Sequence, residues 1–478
     1  MAKTFSIANW RIPRGKWPRP IFSLRRIHLS ATQLAPAVRI IEDPIEEEVF
    51  HGNRLIFFHP TKPGEILDGR FKTIAKLGFG GGSTVWLAEN LNFKRWQKSS
   101  IPRFVSIKIA VHNADKSRES DFFKRIDATQ SSHEGRLFIR TPIDEFKLAG
   151  PDGTHECLVY EPMRETLSQF QDRWPNRRFD PHVLKFHLFF LLQALDYLHT
   201  ECGIIHTGKI PQHPYEFAPI NNPLDIKDDN IMMTIENDAA LTDFVKAQKK
   251  NPQSMHVRAE DGRATYLSQD DFGPPRGSKL VPKLTDFDIA FPRLGENHYH
   301  LSAIQSHRSR APEVLLGCPW STGVDIWSVG ILMWNLLEDV HLFDRPVGAD
   351  GQYDAHVHLA QMVGLLGDPP EHVIKGERIL RKHQLDKPIM NFSGKLCNNM
   401  NEFWGGPFFD DDNQIFRKEL VAGTKKLADT VTELAGEEKE LFLDFASGML
   451  HWVPQKRKTA RELLQHPFLA ELNWDQAS

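Results

Sequence analysis

The sequence predicts an α+β fold in two lobes, on three observations. Short β-branched and aromatic runs crowd residues 71–110, helical periodicity takes over after Pro181, and 478 residues suffice for one large two-lobed molecule with insertions. Phe71 to Leu77, Thr84 to Glu89 and Arg103 to Ala110 are separated by Gly, Asn and Pro, as the strands of a small sheet would be. Beyond Pro181, Val183, Leu184, Phe186, Phe190, Leu191, Ala194, Leu195 and Leu198 recur at three- and four-residue steps and give a helix one wide apolar face. Further helices are expected at Asp325 to Leu337, Ala355 to Leu366, Glu438 to Met449 and Ala460 to Leu464. Between Asn230 and Asp286 the chain is rich in charges and turn formers, which predicts a long loop of the functional or disordered kind.

Composition narrows the function classes. With 40% hydrophobic and 25% charged residues the chain is ordinary, and a net charge of -3 argues against gripping a nucleic-acid backbone. No apolar run reaches the roughly 18 residues of a membrane span. Cys157, Cys202, Cys318 and Cys397 lie far apart without a CxxC pair, so buried free thiols are expected. The first 41 residues hold eight Lys or Arg and no acid, as a mitochondrial leader would, but Pro13, Pro18 and Pro20 would break the helix that import needs. A disordered basic tail is the other reading. Composition changes sharply at Glu42-Asp43-Pro44-Ile45-Glu46-Glu47-Glu48, which reads as an arm.

Several motifs carry chemistry. Gly78-Phe79-Gly80-Gly81-Gly82-Ser83-Thr84-Val85 is followed by Val85-Trp86-Leu87, a strand. A Walker A loop needs Gly-Lys-Ser/Thr leading into a helix, and a dinucleotide fingerprint also opens a helix, so both are excluded. Phe104-Val105-Ser106-Ile107-Lys108 places a lysine on the next strand, and Cys157-Leu158-Val159-Tyr160-Glu161-Pro162-Met163 is an apolar run ending in Glu. After the long helix come Gly203-Ile204-Ile205-His206-Thr207, seventeen residues from Gly208 to Leu224, and Asp225-Ile226-Lys227-Asp228-Asp229-Asn230. Leu284-Thr285-Asp286-Phe287-Asp288, Arg310-Ala311-Pro312-Glu313, Asp325-Ile326-Trp327-Ser328-Val329-Gly330 and Arg457-Lys458-Thr459-Ala460 complete the series.

In this order the motifs resemble those of eukaryotic protein kinases, most closely the SR-protein-kinase-like serine/threonine kinases. Residues 77–88, LGFGGGSTVWLA, are similar to that family's LGWGHFSTVWLA, and without the seventeen residues the loop reads HTDIKDDN, the HTD form the family carries in place of HRD. The resemblance covers about residues 65 to 469 and implies the two-lobed protein-kinase fold, with ATP and Mg2+ as cofactors. It divides the chain into a basic leader (1–41), an arm (42–70), an N-lobe with hinge (71–163), a C-lobe (164–469) carrying insertions at 208–224 and 231–283, and a tail (470–478).

By the same resemblance, Leu77, Gly78, Gly80, Ser83 and Val85 would cover the ATP phosphates, and Lys108 would bind them while paired with Glu119, Glu134 being the alternative partner. Tyr160 would be the gatekeeper, with Glu161 and Met163 receiving adenine on backbone groups. Asp225 would be the catalytic base, Lys227 would offset charge on the phosphoryl group, and Asn230 and Asp286 would hold metal. His206, Phe287, Glu313, Asp325 and Arg457 are the structural residues, with Glu313 expected to pair with Arg457. The implied substrates are Arg/Ser-rich proteins, met by a cytoplasmic or nuclear monomer with no direct nucleic-acid or membrane contact. Asp344, Asp350 and Asp354 stand in the matching region for receiving arginines, although a solvated acidic loop explains them equally.

Two departures qualify the picture. Asp288 replaces the usual Gly, adding charge near the metals and removing backbone freedom. The Gly208–Leu224 interruption is either an irregular excursion or a retained intron, because Gly-Lys and Leu-Asp can encode splice signals whose use keeps the frame and rejoins Thr207 to Asp225. A pseudokinase, binding nucleotide or partner without turnover, is therefore the alternative function.

Overall fold

The computed structural model describes residues 38–50, 54–95, 101–112, 118–206, 230–276, 280–288, 290–295, 299–344, 346–421 and 426–470. The upper lobe is a six-stranded sheet of β1 (Ile66–Leu67), β2 (Phe71–Gly80), β3 (Ser83–Asn90), β4 (Phe104–Ala110), β5 (Asp144–Ala149) and β6 (Thr154–Tyr160), in the order β1-β2-β3-β4-β6-β5. All of its pairings are antiparallel. Trp86, Val105, Ile107, Cys157 and Val159 fill one face, and helix α1 (Arg118–Ala128) follows β4. The sheet begins before Phe71: β1 lies in the segment read as an arm, because Ile66 and Leu67 pair with Lys72 and Phe71.

The lower lobe is mainly helical. Strand β7 (Met163–Thr166) leads to α2 (Leu167–Gln171) and then α3 (Pro181–Tyr197), whose apolar positions are buried as the periodicity predicts. Asp180 caps α3 by accepting from the His182 amide, and Pro181 occupies the first turn, where no amide partner is needed. After a wider last turn the helix stops at Gly203, whose φ of +59° suits glycine and turns the chain into β8 (Ile204–Ile205) and His206.

Residues 231–283 are more ordered than their composition suggests. They hold β9 (Ile231–Thr234), α4 (Asp238–Lys250), β10 (Met255–Val257), β11 (Ala264–Tyr266) and the start of β12 (Pro282–Leu284). Leu241, Phe244, Val245 and Phe272 pack with Ala75, Leu87 and Phe104 of the upper sheet, and burying these side chains holds the segment down. Gln253 donates to the Lys76 carbonyl at 2.7 Å and accepts from the Lys76 amide at 2.8 Å. The acidic arm joins this contact: Lys76 is fully buried and paired with Glu46 (2.6 Å) and Glu47, while Glu48 receives Thr265 Oγ1 at 2.7 Å. A bridge from Ile40 to Met255 extends it, so residues 38–41, counted with the leader, belong to the fold.

Strand β13 (Phe291–Pro292) pairs with β8, and the short α5 (Pro312–Leu315) carries Glu313. Helix α6 (Gly323–Glu338) is buried on nearly every side, which accounts for a sequence apolar all round rather than on one stripe. Gly330 permits this: a Cβ there would lie 2.8 Å from Leu450 Cδ2. Other helices cover Ala355–Leu366, Glu371–Leu380 and Gly436–Ser447, and the last, Pro467–Ala470, ends at the boundary of the proposed tail. Cys157, Cys202 and Cys397 are buried free thiols and Cys318 is half-buried, also free. Among the described residues no helix is long and apolar enough to cross a membrane.

Candidate active site

The cleft between the lobes brings together most of the residues named from sequence. Strands β2 and β3 form a hairpin in which Gly78 faces Val85 and Gly80 faces Ser83, with Leu77 half-buried just before the turn. Cβ atoms built on Gly78, Gly80, Gly81 and Gly82 would meet nothing within 4 Å, so the space beside the hairpin backbone is open. Val85 pairs with Lys108 on β4, which puts the hairpin directly over the lysine.

Lys108 Nζ sits among three carboxylates: Asp288 Oδ2 at 2.7 Å, Glu119 Oε2 at 2.8 Å and Asp286 Oδ1 at 3.4 Å. Glu119, on the first turn of α1, is buried, and its other oxygen accepts from Tyr160 Oη at 3.1 Å. Glu134, the alternative partner, lies in the short turn Glu134–Phe138. Burial opposes charge on Lys108, but Asp288, Glu119 and Asp286 outweigh it and hold the ammonium well above its ordinary range. Burial pushes the Glu119 carboxyl up to about 8, with Asp288 and Asp286 adding to the push and Lys108 opposing it. Asp288, half-exposed, goes the other way: partial loss of water raises it, yet Lys108 and a hydrogen bond from Glu119 bring it below the usual carboxylate range.

The Asp286 backbone has φ +64°, a region that Asp tolerates better than most residues. The cost of backbone freedom expected at Asp288 falls instead on Asp286, since Asp288 is not in the positive-φ region. Phe287 is fully buried, with its ring 5.5 Å from Phe123 of α1 and 5.0 Å from His206. It therefore packs α1 against the loop that follows β8. His206 donates its amide to Asp325 Oδ2 at 2.9 Å and its Nε2 contacts the Thr285 carbonyl at 2.8 Å, while His199 Nε2 reaches the same Asp325 oxygen at 2.8 Å. Asp325, buried in α6, ties the loop to the lobe's central helix.

Asn230 is buried beside this segment, and its carbonyl accepts the Thr285 amide at 2.9 Å. Glu161 is exposed and Met163 buried at the segment joining the lobes. Asp225 and Lys227, with the whole of 208–224, fall outside the described residues. Below the cleft, Arg457 Nη1 and Nη2 bind Glu313 Oε1 and Oε2 at 2.8 and 2.6 Å, both side chains buried, and Arg457 also donates to the Gly323 carbonyl at 2.9 Å.

One site residue carried no sequence signal. Arg140, at the end of the turn after α1, reaches into the cleft and donates to Ser106 Oγ at 2.6 Å; a lone arginine outside every motif offers nothing to single it out. The oxygens of Glu119, Asp286 and Asp288 lie within 4.8 Å of one another. The Lys108 ammonium, within 3.4 Å of all three, already fills the space between them.

Comparison with known proteins agrees with this geometry. The protein kinase domain family model matches residues 276–469. A serine/threonine protein kinase of Aspergillus fumigatus is 32% identical over 428 residues, covering 89% of this chain and 91% of its own length. The serine/threonine-protein kinase SRPK of Physarum polycephalum is 27% identical over 434 residues, covering 87% and 89%. A crystal structure of a kinase domain superposes with a TM-score of 0.57 at 20% identity, covering 87% of this chain and 100% of that one, and shares the fold.

Proposed function

This chain belongs to the serine/threonine protein kinase family, whose members move the ATP γ-phosphate to protein hydroxyls, and we propose that it does so at the cleft around Lys108 with Arg/Ser-rich proteins as substrates. The observation that carries the assignment is the Lys108–Glu119 pair at 2.8 Å, with Asp286 at 3.4 Å from the same ammonium. It supports a lysine held rigidly where the hairpin of Gly78–Ser83 can cover phosphates, and phosphoryl transfer depends on such positioning more than on covalent chemistry. Bound Mg2+ would neutralise charge on the phosphates, and Asp286 and Asn230 are the residues proposed to hold it.

Asp225 is proposed as the group that orients the substrate hydroxyl and takes its proton, with Lys227 beside it. Glu161 and Met163 would meet adenine through backbone groups. The Arg/Ser-rich substrate class is supported by the likeness to the SRPK of Physarum polycephalum and by the HTDIKDDN string. We also propose a monomeric protein of the cytoplasm or nucleus, with mitochondrial import as the alternative that the basic leader raises.

A second reading, a scaffold without turnover, has one observation of its own: Asp288 at 2.7 Å occupies the ammonium that phosphates would need. Transfer of radiolabel from ATP to an Arg/Ser-rich peptide, by the full chain and by a chain lacking 208–224, separates the readings. Label in the peptide from either chain is the expected result. Absence of label from both, with ATP still bound, would leave the scaffold.

A further inference from the structure

We infer that Phe50 and Arg54 of the arm are positioning residues for the glycine hairpin, holding it ready to close over the phosphates of a nucleotide, an inference that rests on the nucleotide-binding reading above. The hairpin is poorly equipped to hold its own shape. Gly80, Gly81 and Gly82 form its tip, and glycine loses more conformational freedom on ordering than any other residue. None of the three has a side chain to pack, and Cβ atoms built there would meet no neighbour within 4 Å. Order at the tip therefore has to come from contacts that other residues make.

The sheet supplies one of them. The Val111 amide donates to the Gly82 carbonyl at 2.9 Å, continuing the β3–β4 pairing by one step. The arm supplies more. Arg54 Nη2 donates to the Gly81 carbonyl at 3.3 Å, and the Phe50 ring lies 6.0 Å from the ring of Phe79, the side chain between Gly78 and Gly80. Arg54 also lies over the Phe50 ring at 5.9 Å and Lys76 Nζ over the Phe79 ring at 5.3 Å, which links these contacts into one group.

Such contacts can position the hairpin only if the arm is itself fixed. Leu55 and Phe58 are buried, and the Phe57 carbonyl accepts the His112 amide at 2.9 Å just beyond β4. Arg263, in the turn between β10 and β11, donates to the Phe58 carbonyl at 2.7 Å. On the other side of Phe50, Glu46 accepts from Ser268 Oγ at 2.9 Å and pairs with Lys76 of β2 at 2.6 Å. Phe50, stacked on Phe58 at 6.1 Å, and Arg54 thus reach the hairpin from a base fastened to the sheet and to the 231–283 segment.

A hairpin already ordered loses less entropy on meeting a ligand than a free one would, so the arm strengthens binding without touching the ligand. The benefit falls on the phosphates, because the Val85–Lys108 pair sets the hairpin over the lysine proposed to bind them. Adenosine, which has no phosphate, should not sense it.

The test uses the full chain with Phe50→Ala and Arg54→Met, and with Phe50→Leu and Arg54→Lys as conservative variants. Amide exchange without nucleotide and calorimetric titration with MgATP and with adenosine are the measurements. Exchange across Phe79–Ser83 should quicken by roughly threefold or more in Phe50→Ala and Arg54→Met while Phe104–Ala110 stays as in the wild type, and the conservative variants should recover part of the loss. MgATP should bind roughly fivefold more weakly to either variant, the equivalent of about 1 kcal/mol, with adenosine within roughly twofold of its wild-type affinity. Hairpin exchange that neither variant alters overturns the inference, as does unchanged MgATP affinity or an equal weakening of MgATP and adenosine, which would mark a general loss of structure. Failure of the wild-type chain to bind MgATP would overturn the nucleotide-binding reading itself, and this inference with it.

Discussion

Asp288 Oδ2 lies 2.7 Å from Lys108 Nζ, closer than Glu119 at 2.8 Å or Asp286 at 3.4 Å. An ammonium shared by three carboxylates has to release one before phosphates can approach. Asp288, half-exposed where Glu119 is buried, is the one free to leave. Asp288→Gly should tighten ATP binding roughly tenfold, the equivalent of about 1.4 kcal/mol for one released charged contact. Calorimetric titration measures it; unchanged affinity would show that Asp288 does not compete.

Glu313 and Arg457 form a two-pronged buried pair, and Arg457 has no other described carboxylate within 4.0 Å. Glu313→Gln should lower unfolding free energy by about 3–5 kcal/mol, because a buried guanidinium loses its counter-charge. Urea unfolding provides the comparison. A loss under about 1 kcal/mol would place this pair with surface ion pairs instead.

Lys76 answers Glu46 and Glu47 in a buried cluster, where burial pushes the Glu47 carboxyl above its ordinary value. Lys76→Met should detach the acidic arm from β2, seen as faster amide exchange at Glu46–Val49 and a lower unfolding midpoint. Unaltered exchange there would mean that Gln253 and Glu48 hold the arm without the lysine.

His187 is buried against Phe170 and Phe179 with Nδ1 bonded to the Val183 carbonyl, and burial lowers its pKa to about 4. In the unfolded chain it titrates near its ordinary value of about 6.5. Between those values the unfolded state binds more protons, so the contribution is present above about pH 6.5 and is lost as pH falls through about 4. Each such group gives a slope of at most about 1.4 kcal/mol per pH unit. His187→Gln should flatten the wild-type fall in stability over this window, measured by urea unfolding at pH 7, 6 and 5.

Deleting 208–224 should raise phosphate transfer to an Arg/Ser-rich peptide by at least roughly tenfold, since it joins Thr207 to Asp225 in the HTDIKDDN order on which positioning depends. Equal rates in both chains would mean that the segment is tolerated. Sequenced transcripts address its origin separately: reads that splice across it support a retained intron, and uniformly unspliced reads exclude one.

Much of the fold was legible because it repeats with short periods. The helix after Pro181 is read at three- and four-residue steps and is observed as Pro181–Tyr197, and the expected strand Arg103–Ala110 runs Phe104–Ala110. Residues 231–283 were not legible in this way. Leu241, Phe244 and Val245 make an apolar face on α4 only when Phe272 and the distant Ala75, Leu87 and Phe104 complete the cluster.

The sequence by itself determined the kinds and order of chemical groups: a glycine hairpin, a strand lysine, the separated HT and DIKDDN strings, a DFD segment and the later Glu and Arg. Order along the chain carries that information because each motif is local. Only the tertiary structure decided that Asp288 shares Lys108 with Glu119, that Lys76 clasps the arm, and that Arg140 crosses the cleft from Leu284 to Ser106. These relations join residues 34 to 180 positions apart for Arg140–Ser106 and Lys108–Asp288, and charge and hydrogen bonding act through the few ångströms that folding sets, not through separation in sequence.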